Sequence, residues 1–262
     1  MDQAINPSVL ERLLRRDRVL TFVALLGISV LAWAYILAGA GMDVRPTDIQ
    51  SMRGMAMPTH WTASHFALML AMWAVMMFAM MLPSAAPMVL LFATIERRRH
   101  EASPYLAIAT FAAAYVLVWS GFSVAATGLQ WLLDRLALLS PTMSTTNAIL
   151  GGAVSIAAGI YQFTPLKRAC LRSCRSPLEF LSRYWSSGPF GIGLRHGLYC
   201  VGCCWMIMLL LFVGGIMNVT WIALIAAFVL VEKLFPRGEW AGFAGGVALI
   251  AWGGWTLCVQ IS

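Results

Sequence analysis

Apolar residues fall into seven runs of near-membrane length, at about residues 19–40, 64–93, 104–127, 147–163, 197–217, 219–234 and 240–258. A helix needs roughly 20 apolar residues to cross the hydrocarbon of a bilayer, and only a segment that satisfies its own backbone N–H and C=O groups is tolerated there. The runs predict an all-α polytopic membrane helix bundle of about seven transmembrane helices, with residues 1–262 forming a single domain. Composition excludes a water-soluble globule, since 60% of the residues are hydrophobic and only 11% are charged. The first run continues past signal-peptide length with no small-residue cleavage site, so it reads as a retained span. Neither a soluble domain nor an internal repeat is discernible.

Basic residues predict the orientation, because Lys and Arg beside span ends tend to stay in the cytoplasm. One side receives the arginines between Arg12 and Arg18, Arg97 to Arg99, the basic residues from Lys167 to Arg195, and Lys233 with Arg237, which make 15 of the 18. Arg45, Arg53 and Arg135 fall on the other side. The bias predicts a cytoplasmic N-terminus and an external C-terminus. Contact with anionic lipid heads accounts for the net charge of +7, which leaves no ground for a nucleic-acid partner.

Five of the six cysteines lie in one short stretch, as Cys170 and Cys174 in CLRSC and Cys200, Cys203 and Cys204 in CVGCC. Thiolates are soft ligands for Cu(I), Zn and Fe–S centres, and crowded thiols are equally the setting of disulfide exchange. The predicted topology puts both groups at the cytoplasmic face, where thiols are kept reduced, so structural disulfides are disfavoured. Thr164 followed by Pro165 reads as a helix start, and Pro177 as its stop. These signals predict an interfacial helix over about 165–176, with Leu166, Cys170, Cys174 and Leu178 on an inward apolar stripe and Lys167, Arg168, Arg172 and Arg175 reaching water or lipid phosphate. On the next span His196, Cys200 and Cys204 are spaced i, i+4, i+8, and Cys203 flanks the same face. If the two faces meet, thiols and imidazole suffice for a metal site, although neither spacing is that of a zinc ribbon. Cys258 stands alone and reads as a packing residue.

Thioethers form a second soft-ligand series. Met55, Met57 and His60 lie in the first external loop, and Met72, Met76 and Met80 follow on one face of the second span. Thioethers favour Cu(I) over harder ions, so these residues make an outer entry route, with Pro83 and Pro87 interrupting the helix beyond them. Ser84 is placed to satisfy a carbonyl freed by that interruption. Glu232 and Lys233 end the sixth run level with the cysteines. Lys233 is expected to snorkel to the interface, and Glu232 to pair with Lys233 or Lys167, so that Glu232 and Lys167 support the thiol site. No phosphate-binding loop, nucleophile elbow, His-Glu-x-x-His or dinucleotide fingerprint occurs, so ATP-driven pumping and hydrolysis are unsupported and a non-enzymatic role is expected ahead of an enzymatic one.

Met80-Met81-Leu82-Pro83-Ser84, Tyr161 to Lys167 leading into Cys170 and Cys174, His196-Gly197, Cys200 to Met206, and Glu232-Lys233 together resemble a bacterial domain-of-unknown-function family of predicted metal-binding integral membrane proteins. The resemblance spans about residues 60 to 235 and is most specific at Thr164-Pro165-Leu166-Lys167 and Cys200-Val201-Gly202-Cys203-Cys204-Trp205. It implies a metal-binding membrane protein whose characteristic positions include the five cysteines, Pro83, Thr164, Pro165, Lys167, Trp205, Glu232 and Lys233. The function expected from these readings is binding of a soft metal ion, Cu(I) ahead of Zn or Fe, for transport, storage or delivery. The ligands are Cys170, Cys174, Cys200, Cys203, Cys204 and His196, and the partners are membrane lipid and a metal donor or acceptor protein. Two other readings remain open, a membrane thiol–disulfide oxidoreductase and a structural or assembly subunit.

Overall fold

The computed structural model describes residues 7–38, 61–99, 104–140 and 143–261, with side chains from Phe22 onward except those of Pro104 and Ile261. Ten α-helices run through them: α1 (Pro7–Leu37), α2 (Ala63–Arg99), α3 (Pro104–Arg135), α4 (Ala148–Gln162), α5 (Pro165–Arg175), α6 (Pro177–Tyr184), α7 (Gly188–Leu209), α8 (Leu211–Gly214), α9 (Val219–Leu234) and α10 (Gly238–Ile261). Extended pairing among the described residues is limited to one isolated bridge, Leu139 with Thr145. The all-α class is therefore as the apolar runs predict.

Helix boundaries follow local chemistry. Asn147 caps α4 by accepting from the backbone N–H of Ile149 and Leu150 at 2.9 and 3.1 Å, and Asn218 caps α9 by accepting from that of Trp221 at 3.2 Å. Thr164 caps α5 with Pro165 in its first turn, as expected, and the chain bends by 64° between α4 and α5. Proline within α2 has a specific compensation. Pro83 lacks the N–H that would bond the Ala79 carbonyl one turn back, and the Trp33 indole N–H on α1 donates to that carbonyl at 3.2 Å. Ser84 does not fill this vacancy as expected; its hydroxyl donates to Met81 O at 2.9 Å.

The helices pack as α4 along α10, α3 along α7, and α2 between α1 and α3. Small residues permit the closest approach: a Cβ on Gly159 would lie 2.7 Å from the Gly246 carbonyl oxygen of α10. The interior holds Trp73, Trp119, Phe92, Phe111 and a run of α2 methionines. The outside is also apolar, with Leu31, Leu106, Trp240 and Trp255 each more than 70% exposed, a surface suited to an apolar surrounding.

Four helical stretches are long and apolar enough to cross a membrane: α2, α3, the run from Pro177 to Gly214, and α10. Counting the bent α4–α5 pair as one broken span makes five. The remaining two of the seven expected runs fall outside this set: α1 is described with side chains only from Phe22 onward, and α9 has 16 residues.

Candidate metal centre

The two cysteine helices are brought together by the bend at Thr164. The α5 helix turns back onto α7, and the Tyr161 hydroxyl ties the bend to α7 by donating to Gly202 O at 2.5 Å. Gly202 also makes room for a thiol, because a Cβ there would lie 2.8 Å from Cys170 Sγ. Cys170, Cys200, Cys203 and Cys204 are buried, and Cys174 is half-buried. The Cys203 and Cys204 thiols both donate to the Cys200 carbonyl, at 3.1 and 2.9 Å, the back-bonding open to small polar side chains within a helix. Cys174 interacts with both Cys200 and Cys203 across the α5–α7 contact. The thiols thus neighbour one another without converging on a point. Among the described residues, no group of three or more His, Cys, Asp or Glu side chains is placed to hold a metal ion.

The side chains along α5 and the start of α6 differ from the stripe expected from their spacing. Leu166 and Leu178 are exposed, 60% and 68%, and the inward positions are Lys167, Cys170 and Leu171. The reason is electrostatic. Lys167 turns in to pair with Glu232 at 2.6 Å and donates to Gln162 Oε1, so the bundle buries a cation together with its counter-charge.

Lys233 does not snorkel outward. It is 6% exposed, and its Nζ donates to Cys200 Sγ at 3.0 Å and to Ser84 Oγ at 3.3 Å. The Tyr115 hydroxyl approaches the same sulfur at 3.2 Å. A buried ammonium is costly without a partner that can carry negative charge; a thiolate at Cys200 is such a partner. Cys200 is accordingly the hub of the cluster, joining α3, α7 and α9 directly and α2 through Lys233.

His196 lies one turn before Cys200 and is 2% exposed. Its ring stacks on Tyr115 and Phe111, with centroids 5.5 and 6.2 Å away, and meets the edge of Phe180. Neither ring nitrogen has a hydrogen-bond partner, which is unusual for a buried polar side chain and leaves a donor atom available to a ligand.

Met72, Met76 and Met80 are buried on the core face of α2. Met81, which the sequence reading did not place at the site, reaches the cluster: the Cys204 thiol lies 4.0 Å from its Sδ. Met55, Met57 and His60 lie outside the described residues. Cys258 is on the exposed side of α10 instead of packed inside. Tyr115 and Gly202 were also missed as site residues. The only signal for Tyr115 was a hydroxyl inside an apolar run, and Gly202 looked like any glycine of a helix contact.

Thiols, a thioether and an unpartnered imidazole form a donor set suited to a soft ion, since sulfur selects Cu(I) from the common metals and imidazole also suits copper. An all-helical protein with long apolar helices and soft donors buried between them is the class that fold and site define. A family model described as PpoB2, copper chaperone, matches residues 70–256, and the chain belongs to that family. The matched stretch contains all five clustered cysteines, His196, Lys167, Glu232 and Lys233. Neither a curated protein nor a solved structure matches the chain.

Proposed function

We propose that the protein is an integral membrane copper chaperone that binds Cu(I) among Cys170, Cys174, Cys200, Cys203 and Cys204 and hands it to an acceptor protein. The observation that carries this reading is the contact of buried Lys233 with Cys200 Sγ at 3.0 Å inside a group of thiols. A Cu(I) ion held by two thiolates bears a single net negative charge, which one ammonium balances. His196, with both nitrogens unpartnered, supplies a further ligand, while Glu232 and Lys167 neutralise each other beside the site. Binding draws the Cys203 and Cys204 sulfurs away from the Cys200 carbonyl and releases thiol protons, because the thiolate is the ligand. The basic residues between α4 and α7 support a cytoplasm-facing cluster in a bacterial inner membrane.

Thiol–disulfide exchange is less well supported, since it needs an accessible attacking thiolate and Cys170, Cys200, Cys203 and Cys204 are buried. Elemental analysis of protein purified anaerobically in detergent tests the proposal. Near-integral copper after Cu(I) loading is expected, lowered by at least one equivalent when all five cysteines are replaced by serine. Equal copper in both proteins refutes it.

A further inference from the structure

The end of α2 remote from the cysteines holds a second group of sulfurs. The Gln130 side chain of α3 is 2% exposed, and its amide nitrogen donates to Met69 Sδ at 3.4 Å and to Met143 Sδ at 3.3 Å. Its amide oxygen accepts from the Trp73 indole N–H at 2.7 Å. Thioether sulfur is a weak acceptor, so a buried amide whose N–H groups meet two sulfurs is poorly served as a structural contact. The same geometry suits a cation well: lone pairs from two thioethers, on separate elements, point at one electropositive group.

Met143 is held there deliberately by the chain. It lies in the loop between α3 and α4 with φ 54°, a left-handed conformation uncommon for residues other than glycine. The loop is clamped around it: Met143 N donates to Ser140 O at 2.8 Å, Thr146 N to Leu138 O at 2.9 Å, and Thr145 N to Phe212 O at 2.7 Å. The strain is compensated by contacts that fix the loop and aim the thioether inward.

We propose that Met69 and Met143, with the Gln130 amide between them, form a second site for a soft monovalent cation, the station from which the thiol cluster is supplied. The cation displaces the amide nitrogen from between the two sulfurs, and a change of Gln130 rotamer lets its carbonyl oxygen join them as a third ligand, at the expense of the bond from the Trp73 indole N–H. From Met69 to Ser84, the α2 residue that contacts Lys233, is 15 residues, a rise of about 22 Å in a helix. Between them Met72, Met76, Met77 and Met80 are each 3% exposed or less, and Met81 ends the series beside Cys204. Soft donors therefore line α2 from one site to the other. This inference rests on the copper-binding reading above for the identity of its cargo.

Anaerobic titration of the detergent-solubilised full chain with Cu(I), competed by a chromophoric Cu(I) chelator, tests it in two backgrounds. The protein with its five clustered cysteines changed to serine is expected to keep one copper equivalent, which the added pair Met69→Leu and Met143→Leu removes. Leucine conserves the volume of methionine, so the same pair in the otherwise native chain lowers the copper stoichiometry by one even if the serine protein does not fold. No copper in the serine protein, together with unchanged stoichiometry in the leucine variant of the native chain, overturns the second site and leaves the thiol site standing. Copper that is lost with the methionines and untouched by the serines supports the second site and refutes the thiol reading.

Discussion

The two ends of α2 bury sulfur in different company. At the Ser84 end the sulfurs are thiols, and cationic Lys233 and the Lys167–Glu232 pair lie among them. At the Met69 end they are thioethers, and the neighbours are the uncharged Gln130 and Trp73. Thiols lose protons to become strong charged ligands, whereas thioethers stay neutral and hold a soft ion by polarizability alone. If both sites bind as proposed, one helix joins a neutral, weakly holding end to a charged, strongly holding end, an affinity difference that favours transfer toward the thiols.

Removing the charged ligands breaks the comparison most completely. Cys200→Ser with Cys203→Ser is expected to abolish high-affinity copper while the thioether site keeps its equivalent, as read by chelator competition. Lys233→Met removes the charge that distinguishes the thiol end. A drop in Cu(I) affinity of about 10–100-fold is expected, the usual effect of removing a partner of a metal ligand, with no change at the thioether end. Gly202→Ala tests the approach of α5 to α7. The new methyl would lie 2.8 Å from Cys170 Sγ, and overpacking of this kind costs about 1–3 kcal/mol, so a lower melting temperature and weaker copper binding are expected together. The smallest effect is in pH dependence. Copper affinity at the thiol end should fall as pH falls, because protons compete for the thiolates. Affinity at the thioether end should stay flat over the same range, and equal slopes would erase the distinction.

Local signals carried much of this organisation in the sequence. Thr164-Pro165 marks a helix start because capping depends on neighbouring residues, and it is found where it was expected. The i, i+4 spacing of Cys170 with Cys174 and of His196 with Cys200 and Cys204 placed the thiols on two facing helices. Partners distant along the chain were illegible. Lys167 points inward because Glu232 receives it, and no spacing within α5 reveals a carboxylate on α9; Leu166 was assigned the inward place for that reason. Trp33, on another helix, satisfies the carbonyl that Pro83 frees. Met143 gave no periodic signal, since it lies in a loop. The apolar runs also gave no sign of the angle at which α4 meets α5.

X-ray absorption at the copper edge, on anaerobic protein carrying one equivalent of Cu(I), tests the central claim most directly. The account predicts a first shell dominated by thiolate sulfur, replaced by thioether or lighter ligands when Cys200 and Cys203 become serine. A native spectrum with only nitrogen and oxygen around the copper, or one that the two substitutions leave unchanged, would contradict it.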